Sequence, residues 1–315
     1  MNSDNNWYGH RFILREYCKI ENDLPIFGFL QHGCHFKEYL EYFTSTGVRK
    51  FSFYPYFCWD KETEIITKKR GVKNVHSIGA PFLYLMKMYE SALEIKQKKK
   101  NNGIVYFQEH STPESDYFFN STQKKIIEKI ENENPGPYTV CLFYSDLKED
   151  IINFYKKRNW NIHCCGSRSD NFTLFKVYEL INNSEKCIFT YFSTPFFYSM
   201  ILKKRTQIIP DDFKFFKKGV KDSFYKSHMQ KYPSLFESEI DLEEGYIYAK
   251  KYLGLDSMKE PDELKHILGW NSSYKKILSK FTAAMIDFKY SKDYRLGNKL
   301  EEKYLKKTNH SWEEN

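Results

Sequence analysis

Short apolar runs rich in strand-forming residues recur along this chain, and segments with helical spacing of apolar residues separate them. That alternation constrains the fold more than any other feature, because strands joined through helices pair in parallel with right-handed crossovers. The runs are apolar nearly throughout, the pattern of strands buried on both faces. In the first part of the chain they span Leu24 to Leu30, Lys50 to Trp59 and Asn74 to Ala80, with helical segments at Glu38 to Ser45, Lys61 to Arg70 and Phe82 to Ile95. Gly71 stops the second helix and Pro81 opens the third, each in its favoured position.

A polar, basic stretch, Lys96 to Asn102, follows and reads as a solvated hinge. A second series starts at Gly103. Its strands are expected at Ile104 to Phe107, Tyr138 to Tyr144, Asn161 to Cys165, Cys187 to Thr190 and Thr206 to Ile209. Amphipathic helices fall at Gln123 to Glu133, Leu147 to Arg158, Asn171 to Asn182 and Phe196 to Leu202, and the turn Pro135-Gly136-Pro137 separates the first of them from the next strand. From about Asp211 the strand signal ends. The remainder reads as mainly helical, either an appendage or a small subdomain, with Glu301 to Asn315 frayed.

Two strand ends carry small hydroxyl and imidazole residues. Gly103 to Phe107 leads through Gln108-Glu109 into His110-Ser111-Thr112, and Phe189-Thr190-Tyr191-Phe192 leads into Ser193-Thr194-Pro195. In open α/β sheets ligands lie beyond the carboxyl ends of strands, where hydroxyls, amides and a helix N-terminus converge on an anion. Both triplets also fit plain helix caps, with Pro195 in a first turn. Gly166-Ser167-Arg168-Ser169-Asp170 follows a third strand. Glycine there admits a close ligand and Arg168 suits a phosphate or carboxylate, although an ordinary turn uses the same residues. In the first series Gln31-His32-Gly33 ends a strand, and His32 is a candidate general base.

Other chemistries lack their signatures. His32, Cys34 and His35 lie close in sequence, but no metal-ligand spacing recurs, and no Walker loop, Gly-x-Gly-x-x-Gly or Gly-x-Ser-x-Gly is present. The seven cysteines are scattered and odd in number, as buried free thiols in a reducing compartment would be. No run is long enough to span a bilayer, and the start lacks the pattern of a signal peptide, so a cytoplasmic protein is expected. A net charge of +8, from 49 basic against 41 acidic residues, leans mildly toward anionic partners. The basic residues are dispersed, so nucleic acid is not expected among them.

The order of these features resembles that of GT-B-type bacterial capsule and lipopolysaccharide glycosyltransferases. Gln31-His32-Gly33, Trp59 and Gly71 through Pro81 look like their acceptor half; His110-Ser111-Thr112, Tyr144-Ser145-Asp146, Gly166 with Asp170, and Thr190 through Thr194 with Tyr198 look like their donor half. The last stretch is similar to the Thr-Asp-Tyr-Ser-Ser pattern of polyol-phosphate polymerases, departing from it at Phe192 and Thr194, and to the paired hydroxyls of enzymes that use CMP-sialic acid. The resemblance covers roughly residues 20 to 210.

It implies an α/β fold of two Rossmann-like domains with a cleft between them. Residues 1–97 form a short acceptor-side domain, residues 103–210 the donor-nucleotide domain, and residues 211–315 a helical C-terminal extension. Either the first domain lacks a strand or the extension packs back to complete it. The implied activity is transfer of a sugar from a nucleotide-activated donor, a CMP-sugar first, to a surface-polysaccharide or lipid-linked glycan acceptor, with no metal or other cofactor. A phosphotransferase using a CDP-alditol, and a non-catalytic nucleotide- or glycan-binding protein, are the alternatives. Carried over by position, His110 and Ser111, with Thr112, meet the donor phosphate or nucleotide, as do Gly166, Arg168, Asp170, Ser193, Thr194 and Tyr198, and His32 faces the acceptor. Peripheral contact with the anionic inner membrane is the remaining expectation.

Overall fold

Eight short strands, all paired in parallel, build two sheets among the residues described by the computed structural model, which are 4–34, 54–92, 103–109, 121–209, 230–236 and 239–272. The expected helix Glu38 to Ser45, the start of the run at Lys50, the hinge Lys96 to Asn102, the triplet His110-Ser111-Thr112 and the last residues, Glu301 to Asn315, lie outside the described residues. The chain divides into two units that are not contiguous in sequence. One comprises Met1–Lys98, Arg168–Phe175 and Ile247–Ser291; the other comprises Lys99–Ser167, Lys176–Tyr246 and Lys292–Asn315.

The first unit holds the sheet β1 (Phe29–Leu30), β2 (Tyr56–Cys58) and β3 (Val75–Ser77), in that order. Its helices are α1 (His10–Tyr17), α2 (Lys61–Lys69) and α3 (Pro81–Ala92). β1 is far shorter than the run Leu24 to Leu30. Pro25 has no amide proton for a ladder, and Gly28 holds φ at 138° with the carbonyl of Pro55 where a Cβ would sit, 2.4 Å away. The outer side of β1 is met by a side chain: Asn5 accepts from the Leu30 amide at 2.7 Å and donates to the Gly28 carbonyl at 2.8 Å. Asp60 caps α2 through the Thr63 amide and hydroxyl. Glu64 ties α2 to β3, accepting from the amide and hydroxyl of Ser77 while Lys61 and Lys68 pair with it. Residues past 247 complete this unit: the Leu253 carbonyl accepts from Ala80, Leu268 from Phe27, and Trp270 donates to Pro25.

In the second unit β4 (Ile104–Phe107), β5 (Tyr138–Leu142), β6 (Asn161–Cys164), β7 (Lys186–Phe189) and β8 (Arg205–Ile208) form one sheet, ordered β6-β5-β4-β7-β8. The helices α4 (Ser121–Glu133), α5 (Glu149–Lys157), α6 (Thr173–Asn182) and α7 (Thr194–Ile201) alternate with these strands. β4 and β7 are buried along their whole length, as central parallel strands must be. Alternation splits their side chains. Ile104, Tyr106 and Ile188 join α4 and α5 in one core cluster with Tyr155 and Trp160, whereas Phe107 and Phe189 stack at 4.9 Å and Phe189 meets Phe196 of α7. Past β8, the described residues include α8 (Leu242–Leu253) and α9 (Pro261–Ile267), with Ile240 bridging antiparallel to Thr206.

Candidate functional site

The strand order of the second unit decides where a ligand site belongs. From β4 the chain winds outward to β5 and β6, then returns to the other side of β4 for β7 and β8. Loops from β4 and β7 therefore leave in opposite directions, which makes their carboxyl ends the topological switch point of the sheet, the place where doubly wound sheets bind their ligands. The two strand ends singled out in the sequence are these two. Phe107 and Phe189 are register partners, so Gln108 and Thr190 follow side by side.

Buried polar groups collect there. Gln108 accepts from the Tyr155 hydroxyl at 2.6 Å, yet its Nε2 is buried without a partner. Thr190 is 1% exposed, and its hydroxyl has no partner either. Ser193 stands at the N-cap of α7 with an extended backbone, but its side chain makes no cap bond, and its buried Oγ is likewise unpartnered. A buried hydroxyl without a hydrogen bond costs about 1–3 kcal/mol. Two such hydroxyls and an amide donor thus lie within a few residues of the β4 and β7 ends, and groups of this kind donate to the oxygens of an anionic ligand. The N-terminus of α7, which follows the β7 end, carries a partial positive charge. Thr194 opens the helix, and Tyr198, one turn further on, is buried.

Gly166 follows β6, the outer strand on the far side of β5 and β4. Three inter-strand steps put that loop about 14 Å from the β7 end. The loop's start holds Cys165, whose sulfur lies 3.6 Å from that of Cys141; all seven cysteines are free. His163 on β6 is pushed down to about 4 by burial and by Lys176.

In the first unit His32 sits just beyond β1, half-buried, with the rings of Trp7 and His10 beside it and Trp59 beyond His10. Trp7 lies 4.9 Å from the His32 ring between centroids, and His10 lies 5.8 Å away at a 21° interplanar angle. Trp59, just beyond β2, meets His10 edge-on at 6.0 Å. Gln31 locks the strand end by accepting from the Trp59 amide and donating to the Gly33 carbonyl. His10 is 2% exposed, and burial pushes its pKa down to about 3, so its ring stays neutral.

Arg168 and Asp170 belong to this first unit. The Arg168 guanidinium lies 4.8 Å from the centre of the Trp7 ring, and its carbonyl accepts from the Tyr8 amide at 2.6 Å. Asp170 receives the Phe172 amide in a turn, and Asn171 pairs with Asn6. Gly9 permits this approach: a Cβ there would stand 2.1 Å from the Asn171 carbonyl oxygen.

The proposed residues thus fall into two groups: Ser193, Thr194, Tyr198 and Gly166 on the second unit, His32 with Arg168 and Asp170 on the first. His110, Ser111 and Thr112 are outside the described residues, directly after the described end of the β4 loop. Gln108 was missed as a site residue, though a polar side chain directly after four apolar ones marks it. Trp7 and His10 were missed as well; their signal is a Trp-Tyr-Gly-His run ahead of an amphipathic helix. Among the described residues no group of three or more His, Cys, Asp or Glu is placed to hold a metal ion, and no helix is long and apolar enough to cross a membrane.

No protein-family model and no curated protein sequence matches this chain. Among solved structures, the wall teichoic acid polymerase TagF aligns over 87% of this chain and 67% of its own, with 15% sequence identity and a TM-score of 0.37.

Proposed function

We propose that this chain is a transferase that seats the phosphate of a nucleotide-activated donor at the ends of β4 and β7. The observation that carries the proposal is the trio of buried, unpartnered groups at the switch point: Gln108 Nε2, Thr190 Oγ1 and Ser193 Oγ. A phosphate there accepts from both hydroxyls and the amide, with the α7 N-terminus behind them.

The reaction proposed is glycosyl transfer, with a CMP-sugar as the first donor to test and a surface-polysaccharide or lipopolysaccharide glycan as acceptor. An acceptor hydroxyl attacks the anomeric carbon; the new C–O bond forms as the bond to the phosphate oxygen breaks. The electron pair leaves on the phosphate, where hydroxyls and helix dipole stabilise the growing charge without a metal. The acceptor gives its proton to a general base, and the residue proposed for that role is His32, a half-buried imidazole just beyond β1 with the rings of Trp7 and His10 beside it. His110 joins the donor side by its position after β4. Placement in the cytoplasm, with peripheral contact at the inner face of the membrane, belongs to the same proposal.

The test is a thermal-shift panel of CMP, CDP, UDP and GDP, followed by a donor-hydrolysis assay with the best binder. Binding of at least one nucleotide, and its loss in Ser193→Ala and His110→Ala proteins that still fold, is the expected result. No shift with any nucleotide would leave a non-catalytic protein. A phosphodiester in place of a glycosidic product would reassign the chain to alditol-phosphate transfer.

A further inference from the structure

His32 does not stand alone beyond β1. A continuous series of rings runs from Arg168 over Trp7, to His32, to His10, to Trp59, with successive separations of 4.8, 4.9, 5.8 and 6.0 Å. The five members come from four separate stretches of the sequence. Trp7 precedes α1, His10 opens it, His32 and Trp59 follow neighbouring strands, and Arg168 returns from beyond β6.

The backbone is bent to achieve this. Trp7 leaves helical geometry at ψ 136°, and Tyr8 adopts the left-handed φ of 58° that a non-glycine residue rarely takes. Gly9 then lets the Asn171 carbonyl in, which brings Arg168 onto the indole. Three local irregularities thus serve one contact series.

We propose that Trp7, His10 and Arg168 are positioning residues for His32, fixing its ring plane and setting the pH at which it takes a proton. The catalytic part of this proposal rests on the assignment of His32 as the acceptor-side base. Trp7 presents an aromatic ring to the imidazole, which favours the protonated form; Arg168 on the same indole carries a like charge and opposes it. His10 adds a neutral ring that cannot compete for the proton, because its own burial holds it neutral down to about pH 3. Among the described residues, further titratable groups near the series are Tyr8, whose ring is 6.0 Å from that of His10, Cys34, two residues past His32, and Asp60, which acts on Cys34. Burial raises Cys34 well above its usual range, and Asp60 raises it further, so it stays a neutral thiol as His32 titrates.

The experiment is an NMR pH titration of the full chain with labelled histidine imidazoles, His32 being identified by the signal lost in His32→Asn. Arg168→Gln removes the like charge and should raise the His32 midpoint by about half a unit. Trp7→Leu should lower it by a similar amount and abolish the indole ring-current shift on the His32 ring protons. Trp7→Phe should restore most of both. In donor turnover Trp7→Leu should lower kcat, leave the donor KM unchanged, and move the acidic limb of the pH profile, where a general base takes its proton, with the NMR midpoint.

A His32 midpoint within 0.1 unit of the parent in both Arg168→Gln and Trp7→Leu, together with an unchanged ring-current shift in Trp7→Leu, would overturn the proposal. The readouts separate this idea from the functional one. Absence of nucleotide binding removes the transferase reading without touching the midpoints, whereas unmoved midpoints in a nucleotide-binding protein remove the positioning role alone.

Discussion

Replacing Ser193 with alanine separates a helix cap from a ligand site, because the two roles carry opposite signs in stability. An N-cap serine that bonds the first turn contributes about 1 kcal/mol, and its loss lowers the urea midpoint accordingly. Here the Ser193 side chain makes no such bond, and its Oγ is buried without a partner. Alanine adopts the same extended backbone, so no strain enters. Removing a desolvated, unpaired hydroxyl should leave stability unchanged or raise it by up to about 1 kcal/mol. Binding should move the other way. A hydroxyl donating to a charged phosphate is worth about 1.5–3 kcal/mol, or roughly a 10- to 150-fold weaker Kd once it is removed. Urea unfolding of the ligand-free protein and calorimetric titration with the best nucleotide measure the two quantities independently. A variant destabilised by 1 kcal/mol or more that binds nucleotide as tightly as the parent would show Ser193 to be an ordinary cap. The phosphate site would then lose its main support.

Three further outcomes can be checked. Thr190→Val keeps the shape and removes another unpartnered buried hydroxyl, so it should hold or raise the thermal midpoint while weakening nucleotide binding about tenfold. Glu64 is opposed by burial, but hydrogen bonds from Lys68, Ser77 and Lys61 outweigh it and hold the carboxyl at about 2. Its contribution is therefore complete above about pH 4.5 and disappears as pH falls toward 2. With the lysine heads partly in water it amounts to roughly 2–3 kcal/mol, and urea midpoints of Glu64→Gln should lack that acid-side slope. Gly9→Ala should destabilise by at least about 2 kcal/mol, since its Cβ would overlap the Asn171 carbonyl at a φ of 78°; wild-type stability in chemical denaturation would contradict that packing.

What could be read from the residues alone was periodicity, and it located elements better than their ends. Ile104 to Phe107 is read as a strand and forms one, because four apolar residues between a glycine and a glutamine leave little choice. Leu24 to Leu30 looks equally apolar, but Pro25 and the left-handed Gly28 reduce it to two paired residues. The mixed α/β character with parallel sheets followed from the alternation. Partnership was not legible. Whether the Ser193 hydroxyl bonds its own helix depends on a rotamer chosen by tertiary packing. Arg168 reads as a strand-end cation in sequence, and only the excursion of residues 168–175 to the first unit puts it on Trp7. The N-terminal stretch, read chiefly for what it lacked, supplies two of the residues around His32.

The side chain of Asn5 has a consequence at the level of the whole molecule. By accepting from Leu30 and donating to Gly28 it occupies the hydrogen-bonding positions that a further strand would use. One amide thus does for β1 what an extra strand does for most sheets: it closes an edge on which another chain could otherwise template. Shortening the chain past Asn5, or exchanging it for leucine, would cost more than two hydrogen bonds. It would leave the outer amide of Leu30 and the carbonyl of Gly28 open to another strand, and the first sign would be concentration-dependent association before any loss of fold.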